Sequence, residues 1–207
     1  MKLIIFGATG SIGRHLVAQA LEAGHTVTAF TRRPGKSAGE HPQLHYRAGD
    51  VLRPADVEAA VRGQDAVLCA LGAGRKGGVR AEGTRNILQA MEKAGVRRFI
   101  CQTTLGAGDS RANLNFFWKR VMFGLLLRAA YRDHQQQEAY IRQSALDWTI
   151  VRPAAFTDGG KTDRYRHGFG PAERNLALKI SRADVAAFML RQLQEDGYRR
   201  RAAGLSY

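Results

Sequence analysis

The chain has 207 residues, 44% hydrophobic and 24% charged, which suits one globular domain over 1–207 and excludes disordered and fibrous classes. Lys and Arg number 32 against 18 Asp and Glu, a formal +14 that would draw phosphates, acidic ligands, nucleic acid or an anionic membrane surface. The cations are scattered, in short groups such as Arg32-Arg33, Arg97-Arg98 and Arg199-Arg200-Arg201 with no interleaved aromatics, so they read as solvated surface and no nucleic-acid partner is expected.

In chain order, short apolar runs alternate with segments of helical period. The runs are Leu3–Phe6, Thr26–Phe30, Leu44–Tyr46, Ala66–Leu71, Phe99–Thr103 and Trp148–Val151. Several are continuously apolar, as strands covered on both faces should be. Between them, Ile12, Leu16, Val17, Ala20 and Leu21 mark one helical face, Val57, Ala60 and Val61 a second, and Val79–Ala94 carries a third. Helices are also expected from about Arg132 to Ser144 and from Arg182 to Gln194, and Gly24 and Gly95 sit where left-handed caps are wanted. The alternation predicts an α/β fold: a doubly wound parallel sheet in three layers, of the Rossmann type. The chain opens directly on a strand without the pattern of a signal peptide, and Cys69 and Cys101 lie inside apolar runs as buried thiols; a cytoplasmic location is expected.

The first run ends in Gly7-Ala8-Thr9-Gly10-Ser11-Ile12-Gly13 before a helix. In that setting Gly7 makes the tight turn, Gly10 admits a pyrophosphate close to the backbone, and Gly13 lets helix and sheet pack. The free amides of the helix start then hold the phosphates without a charged side chain. The second run ends Ala29-Phe30-Thr31-Arg32-Arg33, with no carboxylate to accept from a ribose 2'-hydroxyl and two guanidiniums suited to a 2'-phosphate. The cofactor is therefore read as NADP (NADPH), with Thr31 adding a hydroxyl.

Further pieces carry a resemblance: Phe6-Gly7-Ala8-Thr9-Gly10, Gly49-Asp50-Val51, Gly63-Gln64-Asp65-Ala66-Val67, Leu71-Gly72, Glu82-Gly83-Thr84-Arg85-Asn86-Ile87, Val151-Arg152-Pro153 and Ile180-Ser181-Arg182-Ala183-Asp184. With them the chain resembles the atypical short-chain dehydrogenase/reductases, specifically the small NAD(P)H-binding group that includes biliverdin reductase B, or flavin reductase. The resemblance implies that Asp50 and Val51 hold the adenine and that Leu71, Gly72 and Ala73 line the nicotinamide ribose. It implies that Thr103 and Thr104 lie beside the nicotinamide, and that Pro153 to Phe156 pass near its carboxamide. The region after the sixth strand would be a small substrate-side portion.

No tyrosine has a lysine four residues on: Tyr131 is followed by Gln135, Tyr140 by Ser144 and Tyr198 by Ala202. The Tyr-x-x-x-Lys device that sets up proton transfer in the wider superfamily is thus missing. What remains is hydride transfer to a planar conjugated acceptor, such as a flavin, a quinone or a biliverdin-like tetrapyrrole, for which orientation does most of the work. Thr104, Tyr131 and His134 are the expected catalytic or substrate-contacting residues. The same missing device also fits a non-catalytic NADP-binding sensor or regulator of the NmrA-like type. No metal site is expected.

One stretch exceeds what the minimal fold needs: Leu114–Arg128, with Phe116, Phe117, Trp118, Met122, Phe123 and three consecutive leucines, interrupted by Lys119, Arg120 and Gly124. It is too short to span a bilayer. Three readings stand: an apolar wall or lid over the acceptor, on which Phe116, Phe117 and Trp118 would stack; a homodimer face; or a basic amphipathic helix resting on lipid.

Overall fold

A computed structural model describes residues 1–33, 41–75 and 77–207. Strand β1 (Lys2–Phe6) leads into helix α1 (Gly13–Glu22), β2 (Thr26–Thr31) and the edge strand β3 (Leu44–Ala48). Then follow α2 (Pro54–Val61), β4 (Ala66–Cys69), α3 (Val79–Ala94), β5 (Arg98–Gln102), a 3₁₀ stretch (Gly108–Asn113) and a π-helix (Phe117–Leu126). The chain closes through α4 (Arg128–Gln143), β6 (Asp147–Pro153), β7 (Ala155–Thr157), β8 (Arg166–His167), β9 (Lys179–Ser181), α5 (Arg182–Arg191) and β10 (Arg201–Ser206).

The main sheet runs β3-β2-β1-β4-β5-β6-β10-β8, parallel throughout except for β8, which pairs antiparallel with β10. Helices α1 and α5 cover one face; α2, α3 and α4 cover the other. Each face has its own core, one including Leu3, Ile5, Leu16 and Phe188, the other Ile4, Phe6, Ile87 and Phe99. Successive residues of β1 therefore serve opposite cores, which is why the run is continuously apolar. The doubly wound, three-layer architecture expected from the alternation is the one observed.

Four differences have local causes. Strand β3 is largely exposed because it is an edge. Helix α4 starts at Arg128 rather than Arg132, since it continues almost directly from the π-helix. Strand β10, Arg-Ala-Ala-Gly-Leu-Ser, was not legible as a strand: its small residues fit against β6, and a Cβ on Gly204 would press on the Phe169 ring. The pair β7-β9 forms a separate two-stranded sheet beside the C-terminal end of β6. Gly24 and Gly95 do take positive φ, 76° and 71°, after α1 and α3.

Parallel register aligns the strand ends that matter. Phe6 pairs with Cys69, Cys69 with Cys101, and Gln102 with Val151, so the loops after β1, β4, β5 and β6 emerge along one rim. The sheet order reverses between β1 and β4, and the crevice outside that switch point is where ligands bind in such sheets.

Candidate functional site

The loop between β1 and α1 is built for close approach. Gly7 has φ of +83°, and a Cβ there would collide with the Ala70 carbonyl of the neighbouring loop; one on Gly13 would strike the Gly7 carbonyl and Ala8. Gly10 donates its amide to the Gly7 carbonyl at 2.9 Å, closing the turn. Thr9, Gly10 and Ser11 are exposed at its tip, while Ile12 and Gly13 are buried beneath it. No side chain caps the start of α1 and no acid lies in its first turn. Its positive end is open to an anion, so these residues fit a pyrophosphate.

Beside this loop β2 ends. Phe30 pairs with Phe6, so Arg32 and Arg33 emerge next to the glycine turn, both exposed. Thr31 is buried, and its hydroxyl oxygen accepts from the Arg33 amide at 3.3 Å. It shapes the turn that carries the arginines, its hydroxyl engaged there with the Arg33 backbone.

The segments placed by resemblance cluster along the same rim. A Cβ on Gly49 would meet the Phe30 ring, which brings the Asp50 loop against β2. Asp50 oxygen Oδ1 accepts from the Leu52 amide at 3.0 Å, and the Asn86 side chain donates to the Val51 carbonyl at 2.9 Å. Gly83 allows Val51 and Leu71 to sit against α3, since a Cβ there would press on both. The run Gly83-Thr84-Arg85-Asn86 thus positions two loops at once. Leu71 is buried, Ala73 half-buried and Gly72 exposed, with open space where a Cβ would be.

Over the ends of β5 and β6 lies a cavity of about 300 Å³. Thr103, Thr104, Pro153 and Phe156 reach it, as do Tyr131 and His134 from α4. Its apolar walls include Leu105, Leu114, Trp118, Phe123 and Leu127. Phe123 stacks on Tyr131 with ring centroids 4.7 Å apart and planes 21° from parallel, and Trp118 leans on Phe123 at 5.7 Å. Phe116 and Phe117 instead face solvent, 75% and 53% exposed, so the stacking surface expected from them belongs to Trp118 and Phe123. Phe123 was missed because residue spacing in a π-helix, with i to i+5 bonding, departs from the 3.6 period.

The titratable side chains around the cavity are already engaged. The Tyr131 hydroxyl donates to the Gly106 carbonyl at 2.8 Å. Thr103 is fully buried and donates to Glu138 at 2.9 Å, whereas half-buried Thr104 makes only a 3.3 Å contact to the Leu105 carbonyl. His134 is not the surface residue that a helix start suggests. It is buried, and desolvation, aided by the charge of Arg80, lowers its pKa to about 4. Gln137 donates its amide to Thr84 at 2.9 Å and to the Cys101 sulfur at 3.2 Å, so its oxygen is the atom that accepts from His134 Nδ1 at 3.1 Å. That places a proton on Nδ1, and in the neutral ring favoured by burial Nε2 is an acceptor. Burial thus disfavours the imidazolium that an acid role for His134 would use.

Sequence reasoning also missed the frame behind these residues. Asp133 of α4 accepts from the backbone amides of Arg80 and Ala81 at 3.1 and 3.0 Å, capping α3 from another helix, and meets the Arg80 guanidinium at 3.4 Å. No local motif signals a contact that spans more than fifty residues. Among the described residues no cluster of His, Cys, Asp or Glu could hold a metal ion.

The family model described as NAD(P)H-binding matches residues 7–196. An uncharacterized chloroplastic protein of Arabidopsis thaliana is 33% identical over 176 residues; the match covers 78% of this chain and 61% of that protein, so this chain spans about three fifths of that relative. Among solved structures, ChuY, titled an anaerobillin reductase, from Escherichia coli O157:H7 superposes with a TM-score of 0.82 at 25% identity, covering 100% of this chain and 97% of that one. A short-chain dehydrogenase/reductase from Veillonella parvula DSM 2008, solved in complex with NADP, has the same fold with a TM-score of 0.82 at 20% identity, covering 100% and 94%. With its glycine loop, its switch-point crevice and a family match over most of its length, the chain belongs to the NAD(P)H-binding family.

Proposed function

We propose that the protein is an NADPH-dependent reductase of a planar conjugated acceptor, acting in the cytoplasm. The observation that carries the reading is the cavity: aromatic and aliphatic walls stand over the ends of β5 and β6, and the one histidine on its wall is held neutral. Such a site orients a flat apolar molecule and offers no strong acid, which suits acceptors that spread incoming charge over a conjugated system.

In this reading the loop of Gly7, Thr9, Gly10, Ser11, Ile12 and Gly13 holds the pyrophosphate at the open start of α1. Arg32 and Arg33 pair with the 2'-phosphate, which selects NADPH over NADH. Asp50 and Val51 border the adenine, and Leu71, Gly72 and Ala73 the nicotinamide ribose. Thr103, Pro153 and Phe156 place the nicotinamide. NADPH, when bound, would supply a hydride, two electrons with one hydrogen nucleus, and the matching proton of the acceptor would come from solvent. Thr104 offers a weakly engaged hydroxyl on the cavity wall. Tyr131, fixed by Gly106 and stacked on Phe123, is a flat wall, and His134 accepts a hydrogen bond. The NAD(P)H-binding family and the similarity to ChuY, an anaerobillin reductase, support the same assignment.

The test is NADPH oxidation with FMN, menadione and biliverdin as acceptors. Turnover above the uncatalysed background with at least one, and a higher kcat/KM for NADPH than NADH, is the expected result. Tight NADP binding with no turnover on any of them would overturn it in favour of an NmrA-like regulator.

A further inference from the structure

The π-helix has two apolar sides. One, with Trp118 and Phe123, lines the cavity. The other, with the residue before it, leaves Phe116, Phe117, Leu125 and Leu126 exposed by 75%, 53%, 73% and 46%. These four are half of the large hydrophobic side chains exposed among the described residues, and Phe156, on the cavity wall, is a fifth. A contiguous apolar surface of this kind marks something that covers it.

Charge says what covers it. From Ser110 to Arg132 the chain carries Arg111, Lys119, Arg120, Arg128 and Arg132 and no carboxylate. No described carboxylate forms an ion pair with any of these five. The next acid, Asp133, is buried against Arg80. Two copies joined through this face would set Lys119, Arg120 and Arg128 against their like, on chains that each carry +14. An anionic surface reverses that sign, and phenyl and leucyl side chains ringed by Lys and Arg are the composition that settles at a headgroup boundary. No described helix is long and apolar enough to cross a membrane, so the contact would be peripheral.

We infer that the face formed by Phe116, Phe117, Leu125 and Leu126, with Lys119, Arg120 and Arg128, docks on an anionic lipid bilayer. The cavity wall is the reverse side of the same helix, so the docked protein holds its cavity at the lipid boundary. Together with the proposed reductase reading, and resting on it, this makes a lipid-dissolved acceptor such as a quinone the substrate class that enters most directly. Docking itself needs no turnover and is tested without it.

The full chain is sedimented with vesicles of phosphatidylcholine alone and of phosphatidylcholine containing phosphatidylserine, at low and high salt. The expected result is binding to the anionic vesicles only, weakened by salt. Phe116→Ser with Leu125→Ser should reduce the partition tenfold or more, both changes falling on exposed positions that leave the fold intact by circular dichroism. Arg120→Glu should reduce it well beyond the roughly fivefold of one lost cation, because the sign is reversed. Arg62→Glu, the same charge change on an exposed residue beyond α2, should have little effect. Absence of binding, equal binding to neutral vesicles, or equal losses for Arg120→Glu and Arg62→Glu would overturn the inference. So would a dimer in sedimentation velocity that Phe116→Ser with Leu125→Ser dissociates while vesicles bind nothing. Vesicle binding without any reductase activity would keep the docking and remove only the substrate class.

Discussion

Arg152 and Glu138 are joined by two buried hydrogen bonds, 2.8 Å from Nε to Oε1 and 2.6 Å from Nη2 to Oε2, which tie strand β6 to helix α4 beneath the cavity. Thr103 donates to the same Oε1, and Asp109 accepts from Arg152 Nη1 at 2.5 Å. The Arg of Val151-Arg152-Pro153 therefore fixes the strand end, the helix and the loop after β5 relative to one another. Replacing Arg152 with Met leaves the buried Glu138 carboxylate with only Thr103 and the longer 3.7 Å contact to Arg142. We expect a loss of roughly 3–5 kcal/mol in urea unfolding. The double change Arg152→Met with Glu138→Leu should recover much of it, and a double variant as unstable as the single one would contradict this account.

Glycines of the phosphate loop should separate folding from binding. At Gly10 an added Cβ meets the Gly7 carbonyl at 3.1 Å, a contact that small shifts relieve, but it fills the approach to the backbone. Gly10→Ala should keep its melting temperature within a few degrees and lose at least tenfold in NADPH affinity by fluorescence titration. At Gly13 the added methyl runs into the backbone of Gly7 and Ala8, so Gly13→Ala should lower stability itself, by about 1–3 kcal/mol.

Arg32 and Arg33 predict a cofactor-selective loss. A charge-assisted hydrogen bond contributes roughly 1.5–3 kcal/mol, so alanine at either position should weaken NADPH by about one to two orders of magnitude while changing NADH little. Equal losses for the two cofactors in isothermal titration would remove the 2'-phosphate role.

His134 gives a pH dependence of known sign. Its folded pKa, about 4, lies below the ordinary 6.5, so between those values the unfolded chain takes up a proton that the folded chain refuses. Stability attributable to this residue is complete above pH 6.5 and falls as the pH drops towards 4, by about 3 kcal/mol in all. His134→Gln should flatten that limb of the melting temperature against pH profile. An unchanged slope would mean the ring is hydrated in solution.

Cys69 and Cys101 face each other in register on β4 and β5, both fully buried as free thiols. Burial pushes the Cys101 thiol well up, and the amide of Gln137 holds its sulfur. Neither should react with a thiol reagent at pH 8 in the folded protein, and both should react in 6 M guanidinium. Rapid labelling of the native chain would show that the β4-β5 region opens.

Much of the site was legible because its signals are local. The glycine loop, Arg32 and Arg33 depend on neighbours within one turn of chain, and the backbone chemistry of Gly7, Gly10 and Gly13 admits few alternatives. His134 and Tyr131, expected as catalytic or substrate-contacting residues, both line the cavity, yet their states were not legible. Burial and distant partners, Gln137 and Arg80 for one and Gly106 for the other, decide whether each has a proton to give.

The amino-acid sequence by itself determined the alternating α/β order, the dinucleotide loop and the absence of a Tyr-x-x-x-Lys pair, because hydrophobic period and glycine chemistry act over a few residues. Tertiary structure alone decided which aromatics face the cavity, that β10 completes the sheet, and that Arg152 meets Glu138 and Asp133 caps α3. Those contacts join residues 14 to 53 positions apart or lie on a helix with non-standard winding. Their energy comes from burial and from satisfying charges out of water, which no local pattern encodes.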